Sequence, residues 1–266
     1  MLDVVSRAAY GGTGASCRAR PGRSRSRMLI GSRFPPLMPL RLDLQSAVFV
    51  VLVLLVMPIA AVRSKSIITG GRGRQAPQRS DLLARALFVQ LLLFAFAFLV
   101  ARHEAMPLWS WSGLRLDTIA IAAGALTLLL TVGALSWHLR TPDERRTLWL
   151  RNLLPQTASQ WALWSVVSLA AGVAEETAYR GVLVVLLASA TASFVLAVIL
   201  SAAAFAVVHY PQGAKSMGWV FAIGLVMQAV VAATGTLYVA MGVHAVYDVT
   251  AALTAERRMR AEEAES

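Results

Sequence analysis

Long apolar runs separated by short polar stretches dominate the hydropathy pattern of the chain. Seven runs are free or nearly free of charge and long enough to cross a bilayer as helices. They cover residues 46–62, 86–101, 118–137, 161–190, 191–208, 217–234 and 236–253. The pattern predicts an all-α fold, a polytopic transmembrane helix bundle with about seven spans, and six to eight spans are compatible with it.

Composition supports a membrane protein. Of the 266 residues, 57% are hydrophobic and 15% are charged, which is too apolar for a soluble domain of this length. The fourth run is unusual because the 28 residues of 161–188 would make a helix of about 42 Å, whereas the hydrocarbon core is about 30 Å thick. This helix must tilt, begin in the interface, or break.

The net charge of +11 lies mostly in the amino-terminal tail and in loops beside the runs, with seven Arg in residues 1–37 alone. Such a distribution is typical of topology signals, so no nucleic-acid partner is expected and the bilayer is the expected surroundings. The basic loops at 63–85 and 139–160 and the basic tail at 255–266 then lie on the cytoplasmic side. The carboxyl terminus is therefore predicted to be cytoplasmic.

The segment 1–37 is rich in Arg, Gly, Ser and Pro and is predicted to be disordered. It could be a basic arm on anionic lipid, an organellar presequence, or sequence upstream of the true start. The alternation of basic and neutral loops places this tail outside, against its own charge, and a start at Met38 removes that conflict. We therefore favour a start at Met38, with Met28 as the alternative.

Two carboxylates and a guanidinium interrupt the fourth run, at Glu175, Glu176 and Arg180. An ionised side chain near the bilayer centre costs about 2.5–3.5 kcal/mol, so the cluster is expected to serve a function. Glu176 and Arg180 lie one helical turn apart, which favours an internal ion pair and leaves Glu175 as the unpaired carboxylate. On helical spacing, Glu175 shares a stripe with Ser168, Gly172 and Tyr179.

Two later runs add polar groups. His209 ends the run 191–208, and His244 and Asp248 lie one turn apart within the last run. Taken alone, a histidine at a span end is more often interfacial than a ligand, and a His–Asp pair can satisfy itself. Three apolar helices that each supply polar groups favour one shared site instead.

A carboxylate and two imidazoles inside a bundle suit two kinds of chemistry. In the first, Glu175 acts as a general base on a water that His209 also holds, while His244 with Asp248 polarises a carbonyl. In the second, Glu175, His209 and His244 bind a divalent metal such as Zn²⁺ with an open position for water. Both kinds lead to amide hydrolysis.

Three sequence motifs carry a family resemblance. EETAYRG at 175–181 resembles the EExxxR motif, FAVVH at 205–209 the FxxxH motif, and HAVYD at 244–248 the HxxxN/D motif of the CPBP family of intramembrane proteases. This family includes the type II CAAX prenyl endopeptidases. The three motifs occur in the family's order on successive apolar runs, and the resemblance covers residues 161–253.

The resemblance implies roles for individual residues. Glu175 would be the catalytic base, His209 its partner on the water, and His244 with Asp248 the oxyanion or second-ligand pair. The remaining motif positions are implied as supporting residues: Glu176, Arg180, Phe205 and Tyr179. One position departs from the family, because characterised prenyl-protein proteases tend to carry Asn at the position of Asp248. An ionised Asp cannot donate a hydrogen bond to an oxyanion, so Asp248 would be protonated, orient His244, or ligate a metal.

The chain thus divides into a basic tail (1–37), three spans with their loops (38–157), a helical core with the chemistry (158–254) and a charged cytoplasmic tail (255–266). The expected function is intramembrane cleavage of a membrane-associated or lipidated peptide. The alternatives are a non-catalytic scaffold or bacteriocin-immunity-type protein, and a proton-coupled transporter. The excess of Arg over Lys, 23 to 2, favours a bacterial inner membrane.

Overall fold

A computed structural model of the chain describes residues 43–68, 78–108, 116–139 and 153–264. These residues all belong to one compact unit, and the basic tail predicted for 1–37 lies outside them. The described residues are mostly helical and contain no β-strand, and short turns join the helices from residue 158 onwards. The all-α prediction is confirmed.

Seven helices make up the described part of the bundle. Two of them contain a π-helical segment, in which each backbone hydrogen bond joins residues five positions apart instead of four. In chain order they are α1 (Leu44–Val51, π-helical Leu52–Val56, Met57–Ile68), α2 (Arg79–His103), α3 (Leu116–His138), α4 (Ala158–Glu175, π-helical Glu176–Leu183, Val184–Thr191), α5 (Phe194–Val208), α6 (Ala214–Thr234) and α7 (Leu237–Ala264). A 3₁₀ turn, Tyr210–Gln212, links α5 to α6.

Five of these helices, α1, α2, α3, α6 and α7, are long and apolar enough to cross a membrane. Helix α5 is apolar but has only 15 residues, and α4 carries the three charged residues of the central cluster. Each of the seven apolar runs in the sequence therefore corresponds to one helix.

Helix α4 lies at the centre and packs against α2, α5 and α7. The fourth run does not break, because α4 continues from Ala158 to Thr191 through its π-helical segment. All eight residues of that segment, Glu176–Leu183, are buried. A wider turn leaves carbonyl groups poorly paired, and one of them, that of Tyr179, accepts a 2.8 Å hydrogen bond from the Ser201 hydroxyl on α5.

Polar side chains cap the helix starts. Asp43 is the N-cap of α1, and its carboxylate accepts a 2.9 Å hydrogen bond from the backbone N–H of Ser46. This hydrogen bond holds the pKa of Asp43 below its usual value. Asp43 also contacts His103 at the end of α2, next to Glu104, which accepts from the Ser46 hydroxyl. These four side chains join one end of α1 to one end of α2.

The buried apolar side chains of the described residues form three clusters. In the first, Phe49 and Val53 of α1 and Val100 of α2 pack against the buried face of α4. In the second, α3, α6 and α7 meet through apolar side chains that include Leu129 and Met227. The third joins the end of α3 to the last part of α7. Helix α4 is therefore surrounded by protein over its second half, which is why its charged residues can be kept away from lipid.

Helices α4 and α7 touch at Gly172. A Cβ atom at this position would lie 2.7 Å from the carbonyl oxygen of Met241 and 3.2 Å from the backbone nitrogen of Ala245. Both are backbone atoms, so they cannot move aside as a side chain would. The absence of a side chain at Gly172 sets the distance between the two helices.

Gly172→Ala is expected to destabilise the protein, because the added methyl group pushes α7 away from α4. Overpacking of this kind costs about 1–3 kcal/mol. The matched control is Gly124→Ala in α3, where nothing lies within 4 Å of the added Cβ and the better helix propensity of Ala should make the change neutral or stabilising. Thermal unfolding in the same detergent measures both variants, and equal melting temperatures would contradict the predicted contact.

Candidate active site

A cavity of about 740 Å³ is lined by residues of the six helices α2 to α7, and its lining contains the polar groups singled out from the sequence. Glu175 enters from α4, His209 from the end of α5, and His244 and Asp248 from α7. The three motifs, which are far apart in the chain, therefore meet at one cavity. The rest of the lining is mainly apolar, although it also includes hydroxyl groups and two arginines from the last part of α7.

Glu175 is held by a side chain from outside the motifs. The amide nitrogen Nε2 of Gln90, on α2, donates to Oε1 of Glu175 at 2.6 Å. The second carboxylate oxygen, Oε2, lies 3.7 Å from Nε2 of His244. The side chain of Glu175 is 14% exposed, so the carboxylate still reaches the cavity.

Glu176 is completely buried and bonds in two directions. Its Oε1 lies 3.2 Å from Nη1 of Arg180, so the expected internal ion pair is present. The same oxygen accepts from Nδ1 of His244 at 2.7 Å. Glu176 therefore does more than neutralise Arg180, because it also fixes the ring of His244 and links α4 to α7.

Phe205 packs against the charged groups. The guanidinium carbon of Arg180 lies 4.1 Å from the centroid of the Phe205 ring, a cation–π contact that compensates a buried cation. The rings of Tyr179 and His209 meet Phe205 edge-on, with centroids 5.1 Å and 4.7 Å away. One aromatic side chain thus fixes the positions of three polar ones.

The hydrogen bond of His209 determines which ring nitrogen faces the cavity. Its Nδ1 lies 2.7 Å from the backbone carbonyl oxygen of Phe205, and a carbonyl oxygen only accepts, so Nδ1 carries the hydrogen. In the neutral ring, Nε2 then has the free lone pair. His209 can therefore accept a proton from water or coordinate a cation through Nε2.

His244 uses its ring nitrogens differently. Nδ1 donates to Glu176, and Nε2 lies 3.7 Å from Glu175 Oε2 and 3.7 Å from Asp248 Oδ2. Asp248 is 31% exposed at its side chain and is the more open of the two carboxylates. The sequence paired His244 with Asp248, whereas the shorter contact of the ring is to Glu176.

The predicted stripe on α4 separates into two faces. Ser168 and Glu175 line the cavity, whereas Gly172 packs on α7 and Tyr179 is buried against Phe205. The stripe assumed α-helical spacing throughout, but the π-helical segment begins at Glu176 and has more residues per turn. Residues after Glu175 are therefore rotated away from the positions that a regular α-helix would give them.

The proposed metal ligands fit a cation by type but not by position. Glu175, His209 and His244 offer carboxylate and imidazole atoms of the kind that bind Zn²⁺. In the part of the chain that the structure describes, three ligand atoms within 4.8 Å of one another occur at Asp43, His103 and Glu104, and not at the cavity. The side-chain positions therefore do not form a three-ligand site around Glu175.

Gln90 is the site residue that sequence reasoning missed. It lies in the apolar run 86–101, where it belongs to no motif and carries no charge. A signal was available, since an amide in the middle of a transmembrane span is costly to expose to lipid and usually faces the protein interior. Helical spacing places it with Leu83 and Ala86, which also line the cavity.

The fold and the site together define a multi-pass helical membrane protein with a polar cluster of Glu, His, Asp and Arg inside the bundle. Residues 157–250 match the family model of the type II CAAX prenyl endopeptidase Rce1-like proteins, so this segment is an Rce1-like domain of the CPBP family. The resemblance drawn from the three motifs is confirmed. Comparison with curated proteins and with solved structures gives no match.

Proposed function

We propose that the protein is an intramembrane endopeptidase that hydrolyses a peptide bond in a membrane-associated or lipidated substrate. The observation that carries the proposal is that Glu175, His209, His244 and Asp248 line one cavity inside an apolar bundle. The match to the Rce1-like family supports the same reaction. The expected substrate is a peptide that reaches the cavity while anchored in the membrane.

The cycle begins with a water molecule between Glu175 and Nε2 of His209. Glu175 removes a proton as the water oxygen attacks the carbonyl carbon of the scissile bond. The carbonyl oxygen becomes an oxyanion, and Nε2 of His244, when it carries a proton, donates to it. The carbon–nitrogen bond then breaks, and Glu175 returns the proton to the leaving amine. The water has supplied hydroxyl to the acyl carbon and hydrogen to the nitrogen.

Glu176 and Asp248 act through His244, and Arg180 acts through Glu176. Glu176 holds Nδ1 of the ring at 2.7 Å, so the ring cannot rotate and Nε2 stays turned towards the cavity. An ionised Asp248 only accepts hydrogen bonds, and its position 3.7 Å from Nε2 suits orientation of the ring better than contact with an oxyanion. This accounts for an Asp where characterised relatives tend to carry Asn.

The test is cleavage by the purified full-length protein in lipid, with a library of membrane-anchored peptides in ¹⁸O-labelled water. We expect fragments whose new carboxyl group contains ¹⁸O, and we expect His209→Ala to slow their formation by about 100-fold, the scale of a lost acid–base partner. Mass spectrometry of the fragments gives both results. Cleavage that His209→Ala leaves unchanged would contradict the assigned water site.

A chelator experiment decides between the two kinds of chemistry. Glu175 and Asp248 bring two carboxylates to the cavity, the buried Glu176 is paired with Arg180, and Arg257 and Arg258 of α7 also belong to the lining. The experiment tests whether the two cavity carboxylates work with a bound cation or without one. Activity that survives a strong chelator supports the metal-free cycle described above, in which Glu175 takes the proton from water. Activity that is lost and returns with Zn²⁺ supports a metal enzyme.

The alternative of a proton-coupled transporter has its own test. A proton flux in sealed vesicles without any cleavage would favour the transporter.

A further inference from the structure

Glu175 receives one hydrogen bond from a part of the chain that the family match does not cover. The donor, Gln90, lies on α2, whereas the Rce1-like segment begins at residue 157. Among the described residues, Gln90 is the one side chain within hydrogen-bonding distance of Glu175. We propose that Gln90 is a positioning residue for Glu175, an inference that rests on the function proposed above.

The chemistry of the two groups fixes the orientation of the amide. An ionised carboxylate can only accept, so the NH₂ group of Gln90 must face Glu175 and the amide oxygen must face away from it. The 2.6 Å bond occupies Oε1 of Glu175 and leaves Oε2 directed towards His244, 3.7 Å away. Gln90 thereby selects which carboxylate oxygen remains available to remove a proton.

The amide oxygen of Gln90 gives a second, independent observation. This atom is buried and has no hydrogen-bond partner among the described residues, although Gln90 lines the cavity. The buried amide oxygen of Gln228 in α6 also lacks a partner, but Gln228 does not line the cavity, so what distinguishes Gln90 is an unsatisfied acceptor in the lining next to Glu175. An acceptor left without a donor beside the cavity is suited to a hydrogen from the water or from a backbone N–H of the substrate.

The position on α2 is consistent with such a role. Leu83, Ala86 and Gln90 follow one another at helical spacing along the cavity, whereas Val89 and Leu91 on either side of Gln90 are exposed on the outside of the bundle. The amide is thus the single hydrogen-bonding group that α2 directs to the cavity within the described lining. The family segment supplies the reacting groups, and α2 supplies the group that orients one of them.

The test measures the ionisation of Glu175 without requiring catalysis. A hydrophobic carbodiimide labels protonated carboxyl groups in membrane proteins, and mass spectrometry follows the labelling of Glu175 as a function of pH. Gln90→Leu removes a donor to the ionised carboxylate, and Gln90→Glu places a second carboxylate beside it, so both changes favour the protonated form. We expect the midpoint of labelling to move upwards by about one pH unit in each variant.

The matched control is Gln228→Leu, because Gln228 is also a buried glutamine in an apolar helix but does not line the cavity. Its midpoint of labelling should equal that of the wild type. Gln90→Glu is close in size to the native residue, so it gives a result even where Gln90→Leu does not fold. Midpoints for both Gln90 variants that coincide with the wild type would overturn the proposal.

Kinetics separate this proposal from the proposed function. With a cleaved peptide from the library, we expect Gln90→Leu to lower kcat by about 10- to 100-fold with little change in KM, and Gln90→Glu to shift the acidic limb of the pH profile upwards. Unchanged kcat and pH profile would overturn the role of Gln90 while leaving the protease assignment intact. If no peptide is cleaved at all, the protease assignment fails, and the labelling experiment still decides on Gln90.

Discussion

Glu175→Gln should reduce peptide cleavage by about 1,000-fold or more while leaving the fold intact. The substitution keeps the size of the side chain and an oxygen that can accept a hydrogen bond, but it removes the group that takes the proton from water. Loss of a general base costs about 10²–10⁴ in rate, and a 1,000-fold loss corresponds to about 4 kcal/mol in the activation barrier. The measurement is the rate of fragment formation from a membrane-anchored peptide.

The control for this prediction is Glu104→Gln. Glu104 lies just after the end of α2, accepts from Ser46 and does not line the cavity, so its loss should leave the rate within a factor of two or three of the wild type. Both variants should elute from a sizing column like the wild-type protein. A Glu175→Gln protein that cleaves within tenfold of the wild-type rate would mean that another group activates the water.

Glu176→Leu should be among the most destabilising single substitutions in the bundle. It removes the partner of Arg180, whose side chain is only 3% exposed, and leaves a buried cation that has lost its counter-charge. Breaking a buried pair in this way costs about 3–5 kcal/mol. The yield of folded protein and its melting temperature in detergent measure the effect.

A second variant separates the cost of leaving the Arg180 charge unpaired from the cost of changing the side-chain shape at position 176. In Glu176→Leu with Arg180→Met no charge is left unpaired, so much of the lost stability should return. Cleavage should stay impaired, because Nδ1 of His244 still lacks its acceptor.

The control is Glu256→Leu near the end of α7. It breaks an i,i+4 ion pair with Arg260, whose side chain is 70% exposed. Such exposed pairs contribute at most about 1 kcal/mol to stability. Equal losses in Glu176→Leu and Glu256→Leu would contradict the buried-pair argument.

The helical class and the helices themselves could be read from the sequence because apolar runs of bilayer length have few alternative structures. The meeting of the three motifs could be expected as well, since polar groups on separate apolar helices gain by facing one another. The roles of Glu175, His209, His244 and Asp248 stay predictions until the variants are measured. Their placement at one cavity is what the sequence alone could not demonstrate.

Two features of the site were beyond the sequence for physical reasons. The bond between Glu176 and His244 depends on how closely α4 and α7 approach, and that distance is set by backbone contacts at Gly172. The π-helical segment could not be predicted because eight residues, about two turns, are too few for their pattern to separate a π-helical period from an α-helical one. Gln90 is an uncharged residue outside the three motifs, so the cost of exposing its amide to lipid is the one property in the sequence that points to the site.

The π-helical segment lets α4 hold about one residue more in a turn than a regular helix does, so a deletion has different consequences in different parts of α4. Deleting one residue within the segment, such as Ala178, would let α4 return to regular winding with little net rotation of Val184–Thr191, because the wide turn had absorbed the additional residue. The damage would be local, since Glu176 and Arg180 would then lie three residues apart instead of four. Deleting one residue before Glu175 would remove about 100° of regular winding and turn the whole earlier part of α4 relative to the cavity. One-codon deletions should therefore be more harmful in Ala158–Glu175 than in the segment that follows it.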